Sequence, residues 1–384
     1  MPSATRGRFL KKLPPGPPQK LLIMSQRLWD QVKNTLLGRI LRRLLSPLKV
    51  FGNFKKKKIY ELTYFTKEDV KYQKQVRKNR LTEKKIKALE KEIESFEFQP
   101  KISVVMPVYN VEQKWLEEAI ESVFLQVYQN WELCIADDAS PSPHIKEVLS
   151  FFKDHYERVK IKYLETNRGI SGASNEALSL ASGQYVALLD HDDVLSRDSL
   201  FEVVKLLNAH PEAELIYTDE DKLSMGGLHL RPVFKPDWDP DLFLTYNYIC
   251  HLVVCKKELL ERVGGFRSGF EGSQDYDLLL RLTELTDKIF HIPKVLYHWR
   301  MIPGSAAFVV DAKSKAFERA KRALEEALQR RGIQAKVLEG KPKGTFVIRK
   351  DDGAPNKKFL RGVQGGSFFQ KAPPWPPEAR NEND

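Results

Sequence analysis

The strongest constraint on the fold is a repeated alternation in one stretch of chain. Four short apolar segments, ISVVM (102–106), WELCIA (131–136), KIKYLE (160–165) and YVALL (185–189), are separated by segments with helical spacing of apolar residues: QKWLEEAIESVFLQ (113–126), one near 144–153, and ASNEALSLA (173–181). A further helix over SLFEVVKLLNAH (199–210) follows. Strands joined by helices of this length run parallel, and a parallel sheet needs cover on both faces, so the class is α/β with a mostly parallel central sheet flanked by helices. The chain lacks a Walker A sequence, and no GxGxxG follows the first strand, which disfavours the ordinary P-loop and dinucleotide folds.

Beyond residue 211 the order loosens. ELIYTDEDK (214–222), HLRPVFK, YICHLVVCK (248–256) and a segment near VLYHWR read as strands. The Gly-rich loop VGGFRSGFEGS (263–273) leads into a helix over QDYDLLLRLTEL (274–285), and a long helix over DAKSKAFERAKRALEEALQRRG ends at Gly332. Residues 311–349 are thus expected to hold a C-terminal helix and strand. Residues 350–384, rich in Gly, Pro and charge, should be a disordered tail.

The formal charge of +12 suggests nucleic acid until it is divided by position. Residues 1–100 hold 25 Lys and Arg against 9 Asp and Glu, leaving 38 against 42 in the remainder. The basicity belongs to an N-terminal extension without interleaved aromatics, so a nucleic-acid partner is not expected. Within the extension, residues 1–20 are basic, Pro-rich and predicted disordered. Residues 21–50 place Leu28, Trp29, Val32, Leu36, Ile40 and Leu44 at helical spacing among arginines, the pattern of a basic amphipathic helix. With FKKKK (54–58) it suits an anionic membrane surface through residues 21–58, although docking on the domain or a partner subunit fits the same stripe. Residues 51–99 read as a charged helical linker, solvated over 66–95. No signal peptide or membrane-spanning segment is evident. The three cysteines, Cys134, Cys250 and Cys255, lack metal-site spacing and read as reduced core residues. The expected location is cytoplasmic, peripheral on the inner face of the plasma membrane.

The chemistry concentrates where strands end. YVALL runs into DHDD, and ligands of open α/β sheets bind at the carboxyl ends of strands. Asp190 and Asp192 stand there, with the oxygen chemistry that suits Mg²⁺ or Mn²⁺ carrying a diphosphate. A simple acidic helix start, through Asp193 or Asp198, is the alternative. Asp137 and Asp138 in ADDAS, PVYN (107–110) and Asn167-Arg168-Gly169 end neighbouring strands, so four strand ends present polar groups to one crevice.

PVYN, ADDAS, NRGISGASNEAL, LLDHDD and EGSQDYDLLLR, in this order and spacing, resemble the family 2 glycosyltransferases with the GT-A (Rossmann-like) nucleotide-sugar-binding fold. YTDEDK, FKPDW, NYICH and YHWRMIPGS are similar to the bacterial O-antigen and capsule branch. The resemblance covers about residues 100–310. It implies that Pro107 and Tyr109 line the base and ribose pocket, that Asp138 accepts from a pyrimidine, and that Arg168 lies near base or diphosphate. It implies Asp190 at the ribose or metal, Asp192 as direct metal ligand, and Asp275 as catalytic base, with Gln274 where the family often has glutamate. His298 would assist the metal or diphosphate, or be a buried strand histidine. Asp277 is expected to be structural, Asp219, Glu220 and Asp221 an acceptor edge or an acidic loop, and Trp238, Phe266 and Trp299 core residues.

The implied reaction is inverting transfer of a sugar from a UDP- or dTDP-sugar to a hydroxyl of a lipid-linked or growing surface polysaccharide. A catalytically silent nucleotide-sugar-binding or scaffold subunit is the competing reading. Similar chains continue past a GTFVIRK-like strand into a further domain, so this chain is expected to be either a single-domain form or a truncated one.

Overall fold

In a computed structural model of the chain, residues 66–302, 310–341 and 344–350 are described. The readings for residues 1–65, including the amphipathic helix and the basic cluster at 54–58, and for 351–384 lie outside them. None of the described helices is long and apolar enough to cross a membrane.

The chain divides into two compact units, one containing residues 142–159 and the other residues 66–141 and those from 160 onward. In chain order the described elements begin with α1 (Lys67–Asn79), α2 (Glu83–Ile93), β1 (Ile102–Val108), α3 (Gln113–Phe124), β2 (Trp131–Asp137), α4 (Pro143–His155), β3 (Val159–Tyr163), α5 (Gly169–Leu178), β4 (Tyr185–Leu188) and β5 (Val194–Leu195). They continue with α6 (Ser199–Ala209), β6 (Leu215–Leu223), β7 (His229–Val233), α7 (Pro240–Phe243), β8 (Val253–Lys256), α8 (Lys257–Arg262) and α9 (Gln274–Leu282). The last are β9 (Ile289–Arg300), α10 (Val310–Arg330), β10 (Ala335–Glu339) and β11 (Phe346–Lys350). In the smaller unit, α4 buries Ile145, Val148, Leu149 and Phe152, and Phe151 stacks on His155 with ring centroids 4.4 Å apart.

Nine strands form one sheet in the order β3-β2-β1-β4-β8-β6-β9-β5, with β7 on the flank of β6. β1 pairs parallel with both β2 and β4, as the helical crossovers require. Past β4 the sheet is mixed: β8 runs antiparallel to β4 and β6, while β6 and β9 are parallel. β1 and β2 are almost wholly buried, consistent with a sheet covered on both faces. A core of side chains from β4, β6, β8, α9 and α10 fills one layer, including Val186, Tyr217, Cys255, Leu279 and Leu324. Cys134 and Cys255 are fully buried and Cys250 partly so, none in a disulfide.

Opposite the strand ends that carry the acidic motifs, the sheet is clamped by one buried carboxylate. Glu132, at the start of β2, accepts from Ser103 Oγ on β1 at 2.6 Å and from Ser182 N and Oγ before β4 at 2.5 and 2.8 Å. Lys160 Nζ on β3 completes the shell at 2.9 Å. Gly183 is required here: a Cβ would stand 2.5 Å from the Lys101 carbonyl oxygen.

The segment 66–95 departs from a solvated helix in two ways. It is two helices, each started by a threonine cap; at α1, Thr66 and Asp69 form a reciprocal capping box. α2 buries nothing, as expected, but α1 is docked on β7. Asp69 accepts from the backbone N–H of Arg231 at 3.0 Å, and the Tyr72 hydroxyl donates to Asp221 at 2.7 Å. At the other end, α10 is followed by a hairpin rather than a lone strand, β10 pairing antiparallel with β11.

Candidate active site

β1, β2 and β4 end side by side, and the loops that follow are tied to each other. Asp138 N–H donates to the Val108 carbonyl at 2.8 Å, and Asn110 N–H donates to Ser140 Oγ at 2.9 Å. Asn110 (φ 44) and Ala139 (φ 57) hold left-handed backbone, a cost that surrounding bonds must sustain and that tends to collect at functional sites. Asp137 stabilises the turn after β2, its carboxylate accepting from Ser140 N–H at 3.2 Å. Asp138 is 2% exposed and accepts from Arg168 N–H at 2.7 Å through Oδ1. That bond locks the Asn167-Arg168-Gly169 turn, where Gly169 has φ 72, against the crevice. The Arg168 guanidinium is turned to Glu176 at 2.6 Å and is largely exposed. Tyr109 is 47% exposed at the rim, and the Pro107 carbonyl meets His191 Nδ1 at 3.0 Å.

The end of β4 divides its carboxylates by role. Asp193 is buried and takes Tyr297 Oη at 2.6 Å on Oδ2 and Arg300 N–H at 2.7 Å on Oδ1, so it anchors β9 rather than starting a helix. Asp192 is partly exposed, and its carboxylate has no hydrogen-bonding partner among the described residues; only its carbonyl is used, by Arg300 Nε at 2.7 Å. Asp190 keeps 40% of its side chain exposed. Desolvation there, with the like charges of Asp192 and Asp275, pushes its carboxyl up to about 7.

Asp275 reaches this point from the first turn of α9. Asn247 Nδ2 donates to Asp275 Oδ2 at 2.9 Å. Burial raises its affinity for a proton, opposed by the N–H groups of Tyr276 and its own residue and by Asn247. Two residues on, Asp277 is fully buried between Arg281 (2.8 Å) and Arg267, the structural role expected of it. Gln274 is also used locally, accepting from Gly272 N–H at 2.6 Å.

His298 does not join Asp190 and Asp192. Side chains alternate along a strand. On β9, Tyr297 reaches Asp193 and Asp190, so His298 points the other way, where its Nδ1 meets Asp221 at 2.7 Å. The imidazole at the crevice is His251, its Nε2 3.9 Å from Asp190. It stacks on Tyr297 with centroids 4.6 Å apart, and burial pushes its pKa down to about 4, leaving a neutral ring able to ligate a cation. Asp190, Asp193 and His251 present ligand atoms within 4.8 Å of one another. Asp193 already receives two donors, which leaves Asp190 and His251 as the open members of that group, and Asp192, outside it, acts on Asp190 through its like charge.

No site role for His251 follows from the sequence, although it ends NYICH and is a polar residue inside the apolar run YICHLVV. It is held by a buried pair. Lys235 Nζ lies 3.1 Å from Glu220 Oε2 and also donates to the carbonyls of Ile249 and His251, while His251 N–H donates to Glu220 at 3.2 Å. The acidic run of β6 is therefore a bonded framework and not an open loop. Trp299 is half-buried, edge-on to His251 and under the Lys222 ammonium at 3.3 Å, at the crevice and not in the core.

Residues 103–264 match the family described as Glycosyl transferase family 2. The chain is 52% identical over 233 residues to the uncharacterized protein y4gI of Sinorhizobium fredii, covering 60% of this chain and 26% of that protein. It is 40% identical over 248 residues to the O-antigen biosynthesis protein RfbC of Myxococcus xanthus, covering 63% of this chain and 19% of that one. The chain thus spans about a quarter or less of these two relatives. Among solved structures, S. aureus TarS 1–349 with UDP-GlcNAc is 18% identical with a TM-score of 0.48, covering 71% of this chain and 82% of that one, a likeness too distant to add weight. The stretch that matches Glycosyl transferase family 2, residues 103–264, holds β1, β2 and β4 and the loops at their ends, while Asp275 and β9 lie beyond it.

Proposed function

We propose that this chain is an inverting, metal-dependent glycosyltransferase. It moves a hexosyl or deoxyhexosyl group from a UDP- or dTDP-sugar to a hydroxyl of a lipid-linked or growing surface polysaccharide. The observation that carries the reading is the convergence of Asp275, on a helix more than 80 residues further along the chain, with Asp190 and Asp192 at the end of β4. Asp138 would accept from the pyrimidine through the oxygen that Arg168 N–H does not use, with Pro107 and Tyr109 beside the base and ribose. Asp190, Asp192 and His251 would hold Mg²⁺ or Mn²⁺, which when bound stabilises the charge of the leaving diphosphate. Asp275 would take the proton of the acceptor hydroxyl, its carboxylate aimed by Asn247. A single displacement by that hydroxyl inverts the anomeric carbon. The Arg168 side chain would need to leave Glu176 to reach the diphosphate.

The acceptor class rests on the relationship to RfbC and on the basic extension. Attachment of residues 21–58 to the inner face of the plasma membrane belongs to the same proposal, and a 1–60 deletion that bound anionic vesicles as well as the full chain would remove it. For the reaction, nucleotide release from a panel of UDP- and dTDP-sugars should be measured in the native chain and in Asp275→Asn. Loss of about 10²- to 10⁴-fold in turnover with nucleotide binding retained is expected of a general base. Equal turnover in the variant would assign the base elsewhere.

A further inference from the structure

The acidic run of β6 holds a second cluster of ligating groups that the transfer reaction does not use. Asp221 is paired in register with His298 on β9, and β7 lies on its other side, with His229 opposite Leu223. The β6–β7 register shifts between Glu220 and Lys222, where β7 carries one extra residue, so Asp221 lies opposite a bulge of β7 that includes the left-handed Arg231. The result is one carboxylate between two imidazoles from the flanking strands. His298 Nδ1 lies 2.7 Å from Oδ1 and His229 Nδ1 lies 2.9 Å from Oδ2. The two rings stand 4.5 Å apart at 77°, and Tyr72 of α1 closes the group with its hydroxyl 2.7 Å from Oδ2.

We propose that Asp221, His229 and His298 form a second metal site, selective for an imidazole-preferring divalent cation such as Zn²⁺, with the Tyr72 hydroxyl or a water as fourth ligand. All three ligand atoms lie within 4.8 Å of one another. A tetrahedral ion with bonds near 2.0–2.1 Å sets its ligands roughly 3.3 Å apart, so the two carboxylate–imidazole separations need to open by only about half an ångström. Asp221 has no exposed surface, whereas the imidazoles keep 24% (His229) and 12% (His298), which leaves a route of entry past the rings. Two nitrogens and one carboxylate distinguish this set from the oxygen-rich crevice, so the two sites sort cations by softness. An ion here would join β6, β7, β9 and α1, and the proposal stands whether or not the crevice binds a nucleotide sugar.

The test is titration of the metal-free full chain with Co²⁺ and Zn²⁺, native and His229→Gln, with thermal unfolding of both proteins to establish that the variant is folded. The expected result is intense visible absorption of tetrahedral Co²⁺ at one equivalent, displaced by Zn²⁺ and absent in the folded variant. Weak octahedral absorption alone, or the same tetrahedral bands in His229→Gln, would overturn the site and leave Asp221 as a hydrogen-bonded junction.

Discussion

Breaking the buried Lys235–Glu220 pair by one substitution should destabilise the fold strongly. The side chains are 1% and 3% exposed and 3.1 Å apart. Burial alone would raise the Glu220 pKa, but Lys235, Lys222 and the neighbouring histidine hold it well below the usual carboxylate range. Lys235→Met removes the closest cation and also frees the Ile249 and His251 carbonyls that it binds. Removing one partner of a buried pair costs about 3–5 kcal/mol. Lys222 Nζ remains 3.1 Å from the other Glu220 oxygen, so the lower end, about 3 kcal/mol, is expected. At about 2–4 °C per kcal/mol for a domain of this size, Tm should fall by roughly 6–12 °C, read by calorimetry without nucleotide. Glu220→Gln/Lys235→Met should recover most of the loss, because both fully buried charges are then gone and the partly exposed Lys222 keeps its place over the Trp299 ring. Because Lys235 holds the His251 backbone, the single variant should also bind Mn²⁺–nucleotide more weakly. A Lys235→Met protein within about 1 kcal/mol of native would refute the reasoning.

Two carboxylates of α9 should separate by assay: Asp277→Ala, which strands the buried Arg281 while Arg267 keeps Glu326 at 2.7 Å, should lose about 3 kcal/mol in urea denaturation, whereas Asp275→Asn should leave the midpoint nearly unchanged. Glu132 should govern acid stability. Lys160, Ser103 and Ser182 outweigh burial and hold its pKa down from 4.5 to about 2. Its contribution, on the order of 3 kcal/mol, is full above pH 4.5 and is lost as pH falls toward 2. Glu132→Gln should flatten the stability profile in that window, and an unchanged slope would assign acid unfolding to other groups.

The first four strands and their helices are legible in the sequence because each is an apolar run or stripe ended by polar residues, and their bounds shift by only a few positions. YICHLVVCK contracts to β8 because the chain turns at Cys250 (φ 43), a conformation its apolar neighbours do not announce. β5, two residues long, and the charged β10 carry too little pattern to be read. The carboxylates proposed for the site could be placed on one edge from the sequence because strand ends in an α/β sheet share it. The imidazole could not, since choosing His251 over His298 depends on which face of β9 meets the crevice. That face follows from register shifts at Thr218, Asp219 and Glu220. Docking of α1 was equally hidden, because the partner of Tyr72 lies 149 residues away.

The crevice at the end of β4 is proposed to bind a pyrimidine nucleotide sugar through a metal held by Asp192. Calorimetric titration with UDP, dTDP, GDP and ADP, with and without Mn²⁺, on the native chain and on Asp192→Ala tests it most directly. The account predicts Mn²⁺-dependent binding of UDP or dTDP that disappears in the variant. Binding of none of the four, or binding of a pyrimidine nucleotide that persists undiminished in Asp192→Ala, would contradict it.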